Sequence, residues 1–460
     1  MKPTGLLFFP AFDWAISPSH PEREERLLYT RDQIFEEGIM DLPQIREYQP
    51  QLASPRDIAR VHFCVPSIER IATEAHLVSA GGAIVIGDAF MKGEIKNGFA
   101  IIRPPGHHAM TVAHGNRGFC NINNEAIMIE YLRRKYGLRR ITIVDTDVHH
   151  GDGTQEIYYH DPDVLFISFH QDGRTLYPGS GFVEELGWPP AWGTTINIPL
   201  APYTTDEGIL YTIDKLILPL LEEFKPELVV NSAGQDNHYS DPLANMLFTA
   251  GGYAELNRRL APHIAVLEGG YSVESALPYI NLALIMAMAG IDSSNLREPD
   301  FDRSAFREAP GNMERLKKIA VLQLENFRRR EEEQAAQMKK HGDFFSAQRR
   351  IYYDTDNISE NQEIRQRLCK RCGSYRVIDS AAMHAGGERY RVLCFSISLY
   401  SCENCREEAR TAYRDSIERA LGNYDYIYLQ DRAADEYFCF DCSSDDELEV
   451  GGQRPEIGGD

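Results

Sequence analysis

Five short apolar runs in this chain are each followed at once by an unusual polar cluster. Phe99 to Ile102 leads into RPPGHHA, and Ile141 to Val144 into DTDVHHGDG. Val164 to Ile167 leads into SFHQDGRTLYPGSG, Leu228 to Val230 into NSAGQDNHYSDPL, and Ile264 to Leu267 into EGGYS. Between the runs lie segments with helical spacing, among them Asn124 to Tyr136, Asp206 to Phe224 and Tyr253 to Leu260. Runs this short, rich in β-branched residues and alternating with helices, predict a mainly parallel central sheet covered by helices on both faces. Ligands in such sheets bind at the carboxyl ends of the strands. Every polar cluster here follows a strand, so the five clusters are expected to share one site.

The densest cluster holds Asp145, Asp147, His149, His150 and Asp152 within eight residues. Asp147 and His149 are two apart, so an extended backbone aims both side chains the same way. With Asp236 from another strand they form a carboxylate–imidazole–carboxylate set that can hold zinc and leave a position open. Adjacent His107 and His108 diverge too far to share a metal. They read as two imidazoles beside it, each oriented by a carboxylate, with Asp145 and Asp152 available. Tyr271 follows two glycines and could donate to a developing oxyanion. His150 receives no place at the metal, and His238 reads as a residue behind the site or on the surface.

These residues resemble the zinc-dependent histone deacetylases and their bacterial relatives, the histone deacetylase-like amidohydrolases, which have the arginase–deacetylase fold. RPPGHHA, GFCNINN, DTDVHHGDGTQ, SFHQ with YPGSG, AGQD with DPL, and EGGY occur in the family's order across roughly residues 1 to 293. The resemblance implies a three-layer α/β fold. It implies Asp147, His149 and Asp236 as zinc ligands, and His108 with Asp152 as general base and then acid. His107 with Asp145 would be its electrostatic partner, and Tyr271 the group that polarises the acyl carbonyl. Phe119 and Tyr177 would wall an acyl-lysine tunnel, with the Gly118 carbonyl accepting from the substrate amide. A potassium ion is implied at Asp145, Asp147, His149, Ser168 and Phe169. The implied reaction is hydrolysis of acetyl-lysine, or a related acyl-lysine, to acetate and free amine.

Three departures bear on substrate and on metal. The segment His62 to Ser67 lacks the rim aspartate that grips peptide backbone in many members. Leu243 stands where one polyamine-selective branch has glutamate, although acetylpolyamines and other small acetylated amines stay open as substrates. Gly151 and His238 replace the extra aspartates of two-manganese arginases, which argues for one metal. A catalytically silent acyl-lysine-binding scaffold is the rival from another class, and the intact His107, His108 and Tyr271 speak against it.

The 460 residues exceed one ordinary domain. The α/β rhythm stops near residue 293. Residues 294 to 364 read as a linker and a charged helix, the helix at Asn312 to Lys340. Residues 365 to 445 read as a cysteine-rich module and 446 to 460 as an acidic, disordered tail. Seven of the nine cysteines lie after residue 368, six of them as Cys-x-x-Cys pairs. Cys369, Cys372, Cys402 and Cys405 have the spacing of a zinc ribbon with a second, structural zinc, and Cys439 and Cys442 compete for the same role. Such a module could take a protein partner, and homo-oligomerisation stays open. A formal net charge of −21 disfavours nucleic acid and anionic membranes. The absence of any long apolar run and of a signal-peptide core, together with the cysteine pattern, places the chain in a reducing cytoplasm.

Overall fold

The computed structural model describes residues 2–9, 11, 14–17, 19–274, 276–296, 298, 306–420 and 422–451. The chain divides into two compact units. The first comprises Met1–Ala53, Thr73–Met110 and Gly118–Ala335; the second comprises Ser54–Ala72, Thr111–Arg117 and Ala336–Asp460.

The first unit is built on an eight-stranded parallel sheet. Its strands run in the order Ile45–Tyr48, Thr4–Phe9, Asn97–Ile102, Ile264–Leu267, Leu228–Ala233, Ile141–Asp145, Val164–Gln171 and Thr195–Leu200. The five strands legible in the sequence are the five central ones. They are buried almost throughout, so they need apolar side chains on both faces. One apolar cluster gathers Val144, Ile167, Phe248 and Ile280 with Leu316, Ile319 and Phe327 of the helix Pro310–Arg328. A second gathers Leu6, Leu27, Phe99, Ile101, Leu267 and Ile285. The helix Leu277–Ala289 is apolar on nearly every side and correspondingly buried.

Parallel pairing aligns the strand ends that carry the site. Asp145 pairs in register with Ser168 on one side and Ser232 on the other. The segment from Ile68 to Met91 forms two helices, Ile68–Ile71 and Glu74–Met91, and the chain passes from the second unit to the first between them.

The second unit corrects the expected linker and tail. Its seven-stranded sheet runs Phe344–Tyr353, Ile358–Arg367, Tyr375–Met383, Arg389–Ile397, Tyr426–Asp431, Glu436–Asp441 and Asp446–Glu449. Two of these strands begin before residue 365, where a linker and a charged helix were expected. Their inward positions include Glu360, Gln362 and Gln366, so no apolar alternation betrays them. Asp446–Glu449, expected as disordered tail, pairs with Glu436–Asp441 through its backbone, an arrangement that acidic side chains do not signal. Residues 452–460 lie outside the described residues. The helix Glu403–Ala420 forms the crossover between Arg389–Ile397 and Tyr426–Asp431, the one parallel pair in this sheet.

Candidate active site

The end of the strand Ile141–Asp145 and the loops after its neighbours bring the polar clusters together. Ligand atoms of Asp147, His149 and Asp236 lie within 4.8 Å of one another. Both carboxylates are fully buried. The His149 Nδ1 is 3.1 Å from Asp147 Oδ1 and 3.1 Å from Asp236 Oδ2. Backbone donors hold the outer carboxylate oxygens: Gly269 N–H donates to Asp147 Oδ2 at 2.8 Å, and Val148 N–H to Asp236 Oδ1 at 2.9 Å.

This donor set fits a divalent metal. Burial, then the charge of Asp147, pushes the Asp236 carboxyl above its usual range, so the two buried carboxylates repel each other unless a cation sits between them. Burial alone would depress the His149 imidazolium, yet the hydrogen bonds it donates to Asp147 and Asp236 carry it up to about 10. The cradle is cut for the carboxylates. A Cβ on Gly269 would lie 2.3 Å from Asp236 Oδ2 and 2.6 Å from Asp147 Oδ2.

Two histidine–aspartate pairs stand beside the donors. His108 Nδ1 lies 2.8 Å from Asp152 Oδ1, and His107 Nδ1 lies 3.1 Å from Asp145 Oδ2. The two rings are 4.1 Å apart between centroids, and His107 Nε2 is 3.9 Å from Asp147 Oδ1. Burial would lower the His107 imidazolium, but Asp147 and Asp145 raise it to about 9. Gly151 makes room for the pair, since a Cβ there would meet Asp145 Oδ2 at 1.9 Å.

Aromatic rings frame these groups. The Tyr177 ring lies 5.2 Å from His108 and 6.3 Å from His149, and the Phe119 ring lies edge-on 5.8 Å from Tyr271. Gly118 and Phe119 both have positive φ, +53° and +70°. At Gly118 a Cβ would lie 2.4 Å from His108 Cδ2, so only glycine fits against that ring. The Gly118 carbonyl accepts a weak hydrogen bond from Cys120 Sγ. Tyr271 is buried, and its backbone N–H donates to Asp241 Oδ2 at 2.7 Å. The other Asp241 oxygen accepts from Leu243 N–H, which ties the half-buried Leu243 to the same loop. Ser168 and Phe169 are buried in the strand beside Asp145.

His150 and His238 sit away from the donor atoms. His150 bridges Ser180 Oγ and Gln155 Oε1 under the YPGSG segment. His238 is buried, against Glu298 and Ser240, which excludes the surface alternative.

One group escaped the sequence analysis. Arg26, Glu22 and Arg103 form a fully buried network, with Glu22 accepting from both guanidiniums. Arg26 also donates to the carbonyls of Gly270 and Glu268, at 2.9 and 2.5 Å. The available signal was a charge at the wrong place, because Arg26 shares the buried stripe of its helix with Thr30 and Ile34.

In the second unit, the sulfurs of Cys369, Cys372, Cys402 and Cys405 lie within 4.8 Å of one another, as a zinc-ribbon-like module requires. Cys439 and Cys442 lie outside that group, and Cys439 instead packs beside the Tyr428 hydroxyl.

Residues 63–287 match the family model of the histone deacetylase domain. A probable deacetylase of Archaeoglobus fulgidus is 46% identical over 325 residues, 65% of this chain and 89% of the relative. The chain belongs to the histone deacetylase family. A histone deacetylase-like amidohydrolase of Pseudomonas aeruginosa is 32% identical over 68% of this chain and 90% of its own length. The crystal structure of the HDA15 HD domain shares the fold, with a TM-score of 0.63 at 24% identity over 74% of this chain and 99% of that one. As a histone deacetylase family member, this protein is a hydrolytic enzyme of the deacetylase and amidohydrolase class, acting on acetylated substrate. The family is metal-dependent, and both candidate metal groups named above are present. Among the described residues, no helix is long and apolar enough to cross a membrane.

Proposed function

We propose that the protein is a zinc-dependent deacylase that hydrolyses the side-chain amide of acetyl-lysine, or a related acyl-lysine, to acetate and free amine. The observation that carries this reading is the convergence of the Asp147–His149–Asp236 donor set with two histidine–aspartate pairs in a deacetylase family chain.

Asp147, His149 and Asp236 would hold the zinc. When bound, zinc supplies Lewis-acid chemistry, polarising a carbonyl and acidifying water. His108, paired at Nδ1 with Asp152, would take a proton from water at Nε2 and later return it to the leaving amine. His107, whose imidazolium Asp147 and Asp145 favour, would be the electrostatic partner of His108 beside the reacting centre. Tyr271 donates its hydroxyl proton as a hydrogen bond to the developing oxyanion. Phe119 and Tyr177 would hold the acyl-lysine stem and exclude water, with Leu243 as a further substrate-binding position and the Gly118 carbonyl as amide acceptor. Potassium would bind at Asp145, Asp147, His149, Ser168 and Phe169.

All these residues lie in the first unit, to which catalysis is assigned. The four-cysteine group of the second unit would hold structural zinc and offer a surface for a protein partner. Nine unpaired cysteines support a reducing compartment, the cytoplasm.

The test is a panel of acetyl-lysine peptides, longer acyl-lysine peptides and acetylpolyamines, with zinc content measured in parallel. Acetate release from acetyl-lysine peptide is the expected result. Turnover confined to acetylpolyamines would replace the lysine assignment, and no turnover on any substrate would overturn the enzymatic reading.

A further inference from the structure

Two carboxyl groups that this chemistry does not use lie behind His107. Glu125 stands in the first turn of the helix Asn124–Tyr136, and Glu268 follows the strand Ile264–Leu267. Both are fully buried. Glu268 Oε2 accepts from two backbone donors, Gly106 N–H at 2.7 Å and His107 N–H at 3.1 Å. Glu125 Oε1 accepts from two hydroxyls, Thr154 at 2.8 Å and Ser232 at 3.0 Å.

One oxygen of each carboxyl is left over. Glu125 Oε2 and Glu268 Oε1 are buried and have no donor among the described residues, yet the two side chains are within hydrogen-bonding reach of each other. Two adjoining carboxylates cannot both be charged in such a place, and each leftover oxygen is an acceptor that lacks a proton. A single proton between them satisfies both oxygens and leaves one charge on the pair. Burial and the charge of Glu125 push the Glu268 carboxyl well above its usual range, in the same direction.

The pair closes a circuit around one backbone unit. Thr154 N–H donates to the His107 carbonyl at 3.0 Å, and the Thr154 hydroxyl donates to Glu125. His107 is therefore held at its N–H through Glu268 and at its carbonyl through Thr154, and the bond between the two glutamates joins the ends. The helix start packs tightly on this turn, because a Cβ on Gly106 would lie 2.5 Å from Asn124 N.

We infer that Glu125 and Glu268 share one proton as a carboxylic acid–carboxylate pair, and that this pair positions the Gly106–His107 backbone and with it both imidazoles. They are positioning residues and touch no substrate. The positioning role rests on the deacetylase reading; the shared proton does not.

The experiment uses full-length, zinc-loaded protein. Infrared difference spectra of wild type against Glu125→Gln and Glu268→Gln should each show loss of a protonated-carboxyl carbonyl stretch at neutral pH. Either amide can accept at its oxygen and donate across the gap, so both glutamine variants should rescue turnover. Glu268→Ala breaks the circuit, and kcat should fall about a hundredfold with KM unchanged. Unaltered infrared spectra in both glutamine variants would overturn the shared proton, even if Glu268→Ala fails to fold. Wild-type kcat in a folded Glu268→Ala would overturn the positioning role. Inactive wild-type protein would sink the deacetylase reading while the spectra still decide the proton.

Discussion

The guanidinium carbon of Arg26 lies 4.9 Å from the centroid of the Tyr271 ring, and its Nε–H donates to the carbonyl of Gly270 at 2.9 Å. Tyr271 is thus held by its ring and by the residue before it, while Asp241 holds its N–H. A hydroxyl that must meet a developing oxyanion is useful only where its backbone cannot drift.

Replacing Arg26 with Ala should lower kcat about tenfold to a hundredfold while KM changes little, because the loop loses its register and not its binding surface. The fold should lose about 3 kcal/mol through the broken buried ion network. Arg26→Lys should rescue little, since an ammonium cannot replace the fork that reaches two carbonyls and Glu22. Steady-state kinetics and denaturant unfolding on the three proteins check this.

Glu22 predicts an acid-sensitive step. Burial alone would raise its carboxyl, but Arg103 and Arg26 hold it below the usual glutamate range. A depressed folded pKa means that the unfolded chain binds the proton first. The stabilisation is therefore complete above the unfolded value, about 4.3, and is lost as pH falls through the folded one. Glu22→Gln should cost about 3–5 kcal/mol at pH 7, where two buried guanidiniums lose their counter-charge. The gap between variant and wild type should close as pH drops below that of the unfolded glutamate. A gap in melting temperature that stays constant over the acid range would refute the assignment.

His108 and the metal donors should separate experimentally. His108→Ala removes the proposed base but none of the ligand atoms, so zinc content should stay at the wild-type level while kcat falls about 10²–10⁴-fold. Asp152→Asn keeps the hydrogen-bond acceptor and removes the charge behind His108, so its loss should be smaller. Asp236→Ala should lose metal and activity together. Elemental analysis beside kinetics distinguishes the three outcomes.

What the sequence revealed follows burial and locality. The central strands were readable because both faces are covered and their side chains are apolar throughout. Thr4–Phe9, Ile45–Tyr48 and Thr195–Leu200 lie toward the sheet edges, where runs are shorter or mixed with polar residues. The strand-end clusters brought out His107, His108, Asp145 and Asp152 because each sits in a dense local pattern, and the family resemblance implied how they pair. Arg26 and the Glu125–Glu268 pair stayed hidden, since each acts on residues far away in the chain. Glu22 and Arg103, for instance, are separated by 81 positions. In the second unit, Glu360 is a buried acid among Tyr353, Gln362 and Ser380, which makes its strand look like a surface segment.

The four-cysteine group should behave differently from the metal of a small zinc finger. There the fold depends wholly on zinc, because too little apolar surface is buried without it. Here Cys405 packs with Tyr375, Leu393, Phe395, Ile397, Tyr413, Ile427, Leu429 and Phe440, an apolar core that does not itself require metal. Cys369→Ser should therefore remove one equivalent of bound zinc and lower the melting temperature of the second unit, with cooperative unfolding retained. Cys439→Ser and Cys442→Ser should leave the zinc content unchanged, as neither sulfur joins the group. Zinc lost equally from Cys439→Ser and Cys369→Ser would assign the site to a different set of thiolates.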